Sequence, residues 1–225
     1  MHSIWRTLGR ALSRDILLVC LAVGVIGISY GAIAVASGFP LWLPMLLALL
    51  VVAASSEFLF IGIIAAGGSP ITAVLAGLLV NARHVPFGLA VPDVLGHGWR
   101  RLLGTHLMND ETVVFALAQE STARKRAAYW ACGLGILACW PLGAVIGALL
   151  GSVISNTDAF GLDAMFPAII LALILPAFRD GEKRRPALTG AAIALAATPF
   201  LPAGLPVLLG LAALSLTAAG EKASR

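Results

Sequence analysis

Charge is what this sequence has least of. Only 12% of its 225 residues are Asp, Glu, Lys or Arg, where a soluble domain carries roughly a quarter. With 60% hydrophobic residues and a mean hydropathy of +0.96, the chain cannot cover a globule with polar groups, which excludes a water-soluble fold. Cysteine is scarce too. Cys20, Cys132 and Cys139 all sit inside apolar runs with no CxxC or Cys/His spacing, so neither a metal site nor a disulfide framework is expected, and the thiols read as small packing groups. No basic patch with interleaved aromatics occurs, which sets nucleic-acid binding aside. Also missing are G-x-S-x-G, H-E-x-x-H, Walker and Rossmann signatures. No enzyme, cofactor or bound metal is expected, and an ATP-driven pump would need a separate ATPase chain.

What is present is a series of long apolar runs, several of the roughly 18 residues or more that read as membrane helices. The expected fold is an all-α polytopic integral membrane protein. It has about six to seven apolar segments, at least one of them broken or re-entrant, in one transmembrane domain over 1–225. Met1–Asp15 reads as a basic cytoplasmic leader. Ile16–Ser37 is longer than a signal-peptide core and reads as a retained first span, with Gly27-x-x-x-Gly31 a face for close helix approach. In Leu41–Ala66 the apolar run stops at Ser55-Ser56-Glu57, which predicts a broken helix or re-entrant hairpin. After Gly67-Gly68-Ser69, Pro70 suits a first helical position, and Ile71–Val91 reads as a further span.

Asp93–Arg126 is a polar cytoplasmic connection. Ala127–Ile154 is apolar, carries Gly143, Gly147 and Gly151 at intervals of four, and holds Pro141, expected to kink it. Beyond a polar loop at Ser155–Gly161 come Leu162–Phe178 with Asp163 and Pro167, and a charged loop at Arg179–Arg185. The last apolar pair is Ala187–Leu201 and Leu205–Ala219.

Charge bias bears on topology. A single crossing by Leu41–Ala66 would put Arg100, Arg101, Arg124, Lys125 and Arg126 outside, against the positive-inside rule. A re-entrant Leu41–Ala66 returns them, the N-terminus and Arg179–Arg185 to the cytoplasm.

The candidate site residues are the polar groups stranded in these runs. Ionisable groups inside a membrane are costly, about 2.5–3.5 kcal/mol at a helix centre on insertion scales, and mark function by default. Glu57 must therefore be paired or able to exchange a proton, and Ser55 and Ser56 beside it could contact a substrate. In Val80-Asn81-Ala82-Arg83-His84, Asn81, His84, Val85 and Gly88 share one face if the segment stays helical. Arg83, pointing elsewhere, could pair Glu57 or bind another carboxylate, or Arg83 and His84 could be headgroup anchors. Asp110 and Glu111 open an apolar stretch, where carboxylates suit the helix dipole or could form a gate.

These pieces resemble the AzlC family, the larger subunits of bacterial branched-chain amino acid exporters linked to azaleucine resistance. Gly27-Ile-Ser-Tyr-Gly-Ala32 is similar to its first-helix glycine motif, and Val80-Asn-Ala-Arg-His84 to its V-N-x-R-H motif. Asn109-Asp-Glu-Thr112 resembles a T-D-E motif, and Gly161-Leu-Asp163 through Pro176 its G-x-D…P segment. Glu57 stands where the family usually has glutamine, and Asn109 replaces a threonine whose hydroxyl could cap the following helix. The resemblance implies multi-pass residence in the bacterial inner membrane and ion-coupled export of hydrophobic amino acids, with a small AzlD-like membrane subunit as partner. An assembly or regulatory subunit without its own transport path is the alternative. An intramembrane enzyme using His84 and Glu57 as acid and base is a third.

Overall fold

The computed structural model describes residues 4–153, 171, 175, 181–202 and 204–210. The Ser155–Gly161 loop, nearly all of Leu162–Phe178 and the chain after Gly210 lie outside the described residues. Every regular element among those described is a helix. In chain order they are α1 (Ile4–Ala36), α2 (Trp42–Leu50), α3 (Ala54–Ala65), α4 (Pro70–Asn81), α5 (His84–Ala90), α6 (Trp99–His106), α7 (Asp110–Leu117), α8 (Thr122–Val153), α9 (Gly181–Ala197) and α10 (Leu205–Gly210). Among the described residues, three stretches are long and apolar enough to cross a membrane: Thr7–Ala36, Pro70–Ala90 and Thr122–Ser152.

The backbone forms two compact units. The first takes Met1–Glu57 and Asn81–Thr157, the second Phe58–Val80 and Asp158–Arg225. In the second, Ile63, Ala73 and Ala76 are buried, with Leu59, Phe60, Ile64 and Leu208 packed around them. There Pro70 begins α4 as expected, and Ser69 caps it by accepting the Thr72 N–H at 3.1 Å.

The first unit is built on α1 and α8. The expected basic leader is helical from Ile4: α1 joins a short N-terminal helix to the first span across a kink at Gly9, because Arg, Leu and Ala are good helix formers. It departs from helical geometry only at Gly9 (φ 76°, ψ 166°), a conformation that glycine adopts without strain. At its far end Gly38 (φ 87°) lets the Phe39 N–H turn back to Ala34 O at 3.2 Å, which closes the helix. For the same propensity reason α8 starts at Thr122 rather than Ala127, and it runs on through Pro141 without a break. Likewise α9 takes in Arg184 and Arg185, expected in a loop.

Glycine spacing sets how α1 and α8 meet. A methyl group on Gly27 would lie 2.7 Å from Trp140 O, and one on Gly151 would lie 2.9 Å from Ala32 O. On Gly31 and Gly147 it would overlap the carbonyl oxygens of Ala144 and Ile28. Backbone therefore touches backbone along the seam, as small-residue faces permit. The order of contacts fixes direction. Cys20 meets Cys132 and Gly135, Gly24 meets Cys139 and Gly143, and Ala32 meets Gly151. Both numbers rise together, so the two helices pack in parallel.

The polar stretch 93–126 is largely helical. It folds into α6, α7 and the start of α8, around Val94, Leu95, Leu107, Met108, Val113, Ala116 and Tyr129, all buried. Tyr129 donates to Gly104 O at 2.7 Å and Trp130 to Val94 O at 2.9 Å, satisfying carbonyls that the turns leave open.

Candidate functional site

Three helix interruptions in the first unit carry the polar groups: Val51–Ala53 between α2 and α3, Ala82–Arg83 between α4 and α5, and Leu107–Asn109 between α6 and α7. At 12 residues, α3 reaches only about 18 Å of a hydrocarbon core about 30 Å thick. The break expected in Leu41–Ala66 is present but lies earlier than Ser55-Ser56-Glu57. Those three residues form the first turn of α3 instead, because their side chains complete its N-terminus. Ser56 Oγ donates to Ala53 O at 2.9 Å, and Glu57 Oε1 accepts the Ala53 N–H at 3.0 Å. Just before them Val52 has φ 52°, a conformation that a β-branched residue adopts only under strain. Such strain is concentrated at functional sites.

Glu57 is the one charged side chain that is fully buried among the described residues, at 1% exposure. Trp140 of α8 donates its indole N–H to Glu57 Oε1 at 3.1 Å. The Tyr30 ring of α1 stacks on Trp140 at 5.1 Å and places its hydroxyl beside the carboxylate. Neither ion pair found among the described residues involves Glu57. The carboxyl is thus held by N–H dipoles and a helix N-terminus, with an enclosing wall of two aromatic rings. Trp140 lies just past the middle of the 32-residue α8, which sets the depth of this cluster.

Arg83 does not pair Glu57. Its NH2 group donates to Ser55 Oγ at 2.8 Å and pairs with Asp110 Oδ2 at 2.9 Å. One guanidinium therefore joins all three interruptions: its own, the first turn of α3 and the first turn of α7. His106, at the end of α6, adds a link by donating from Nε2 to Leu49 O near the end of α2, at 3.0 Å. Helix ends leave carbonyls without internal partners, and this bond fills one.

α4 ends at Asn81 and α5 begins at His84, so Asn81 sits on a different helix from His84, Val85 and Gly88. His84 opens α5 and donates from Nδ1 to Asn81 O at 2.8 Å across the break. Two polar atoms here are buried without a partner among the described residues, Arg83 Nε and Asn81 Oδ1. One is a donor and the other an acceptor.

Asn109 caps α7 after all. Its carboxamide oxygen accepts the Thr112 N–H at 2.9 Å, and Thr112 Oγ1 accepts the Asn109 N–H at 2.9 Å. The amide oxygen does what the absent threonine hydroxyl would do. Asp110 and Glu111 follow in the first turn, Asp110 facing Arg83 and Glu111 half-buried.

The family model described as AzlC protein matches residues 18–154, the stretch that holds all three interruptions and the α1–α8 seam. The chain belongs to the AzlC family. It is 27% identical over 175 residues to the branched-chain amino acid transport protein AzlC of Bacillus subtilis, covering 76% of this chain and 68% of that protein. An uncharacterized membrane protein of Haemophilus influenzae is 30% identical over 174 residues, covering 76% and 71%. One from Helicobacter pylori is 26% identical over 176 residues, covering 76% of each. No solved structure matches. Membership in the AzlC family and these relatives make the chain a membrane protein with a transport role.

Within this AzlC chain, sequence reasoning passed over Trp140, Tyr30 and His106. A signal was available for the first two. Tryptophan and tyrosine usually sit at membrane interfaces, and a buried indole N–H or phenol needs an acceptor. An aromatic with a polar handle mid-run therefore asks for a partner such as Glu57.

Proposed function

We propose that this chain is the large subunit of an exporter that moves branched-chain or other hydrophobic amino acids out across the bacterial inner membrane. It works by ion-coupled alternating access with a small AzlD-like membrane subunit. The observation that carries the reading is Arg83 bridging Ser55 and Asp110 across three helix interruptions. Interrupted helices with unwound backbone are how transporters build a substrate site in the bilayer. Arg83 can exchange Asp110 for a substrate carboxylate, a charge-matched swap. Asn81 Oδ1 is an open acceptor for the ammonium group. Glu57, enclosed and paired with no cation among the described residues, is the group that loads and releases a proton.

The parallel packing of α1 and α8 bears on the number of crossings between them, and the positive-inside bias on which side the N-terminus takes. Two parallel spans require an odd number of crossings between them. With Pro70–Ala90 taken as the one crossing, residues 41–66 enter and return on the same side. That arrangement also satisfies the positive-inside bias.

The test is efflux of labelled leucine, isoleucine, valine and methionine from proteoliposomes holding the chain, with and without the small partner, under an imposed pH gradient. Saturable, gradient-dependent efflux of one or more of them supports the reading. Efflux equal to protein-free vesicles under every condition counts against it.

A further inference from the structure

A concavity lies away from the interruptions, where α1 and α8 begin. It is a cavity of about 330 Å³ lined by Thr7 of α1, Trp99 and Arg100 of α6, and Arg126, Ala127 and Trp130 of α8. That volume is at the small end of the range for ligand sites. Arg100 and Arg126 line it, and no carboxylate among the described residues does. Arg100 rests over the Trp99 ring at 5.7 Å, a cation–π contact that fixes the charge. Arg126 is anchored by one bond from NH2 to Asp93 O at 2.8 Å, which leaves its other N–H groups available. Trp130 is held by Val94 O, while Trp99 is 69% exposed.

The position of the cavity decides what it suits. The starts of two parallel membrane helices lie at one face of the bilayer. Indoles belong at that depth, and α6 and the start of α8, which line the cavity, carry Arg100, Arg101, Arg124, Lys125 and Arg126. A basic pocket between membrane helices on the cytoplasmic side matches anionic lipid headgroups. We infer that the cavity bounded by Trp99, Arg100, Arg126 and Trp130 binds the phosphodiester headgroup of an anionic phospholipid. The guanidiniums hold the phosphate and the two indoles flank the glycerol and upper acyl chain. The site is distinct from the interruptions that the transport reading uses.

The test is thermal unfolding of the full chain, purified in zwitterionic detergent, titrated with phosphatidylglycerol, phosphatidylcholine or inorganic phosphate. The expected result is a saturable rise in unfolding temperature with phosphatidylglycerol alone. Arg100→Gln should raise the half-saturating lipid concentration about fivefold, the equivalent of about 1 kcal/mol for one basic residue near an anionic surface. Arg100→Lys should stay close to the wild type. Arg126→Gln also loses the bond to Asp93, so Arg100→Gln carries the test if that variant fails to fold. Equal response to phosphatidylcholine, or an Arg100→Gln titration that overlays the wild type, overturns the proposal. Inorganic phosphate competing at the same concentration as the lipid makes this a free-phosphate site and overturns the lipid assignment. Transport need not be measured, so failure here leaves the export reading untouched.

Discussion

Trp140 donates its indole N–H to the Glu57 carboxylate at 3.1 Å, tying the middle of α8 to the first turn of α3. The bond serves either protonation state of the carboxyl, as does the Ala53 N–H on the same oxygen. A glutamine at position 57 keeps that acceptor oxygen and cannot exchange a proton. Glu57→Gln should therefore insert and fold as the wild type does, while its export rate loses the wild-type dependence on pH. Superimposable pH profiles would remove Glu57 from the proton path.

The Arg83–Asp110 pair is half-exposed, with side chains 35% and 44% accessible. In a water-filled substrate path a pair so placed is screened, and its coupling is under about 1 kcal/mol. A double-mutant cycle with Arg83→Gln and Asp110→Asn, read by unfolding in detergent, should show a coupling no larger than that. Export by Asp110→Asn should change far more than its stability does. A coupling of several kcal/mol would make the pair a structural clamp instead.

Val52 and Val113 are equally buried, each 4% exposed, but only Val52 has a positive φ. Truncating either to glycine loses the same side chain. At position 52 glycine also relieves strain of about 1–3 kcal/mol, whereas within α7 it adds about 1 kcal/mol of helix cost. Val52→Gly should thus be milder than Val113→Gly by at least about 1 kcal/mol in unfolding experiments. Equal losses would argue that position 52 is unstrained.

At the α1–α8 seam, Gly147 leaves no room for a side chain against Ile28 O, while Gly181 has nothing near. Overpacking in a tight core costs about 1–3 kcal/mol. Gly147→Leu should lower the unfolding temperature and the yield of inserted protein, with Gly181→Ala matching the wild type. An unaffected Gly147→Leu protein would contradict the packing.

Much of this was legible in the residues. Apolar runs set the all-helical class, and the four-residue glycine intervals marked the seam. The partners of the isolated polar groups were not legible. Pattern alone left Arg83 free to reach Glu57 or another carboxylate, and only tertiary packing sends it to Ser55 and Asp110. The break in 41–66 was displaced because serine and glutamate read as interrupters of an apolar run, yet here they complete a helix start. The stretch 93–126 looked like a connection because its apolar residues are spread between polar ones. They converge only once α6 and α7 fold back on α8.

The central claim is that Arg83 and the interruptions it joins form the substrate path. Leucine counterflow into proteoliposomes loaded with unlabelled leucine tests it most directly, comparing wild type with Arg83→Ala at matched amounts of inserted protein. Counterflow cancels the driving force and reads substrate passage alone. The account predicts wild-type exchange and an Arg83→Ala rate at the protein-free background. Exchange by Arg83→Ala at the wild-type rate and half-saturation would contradict it.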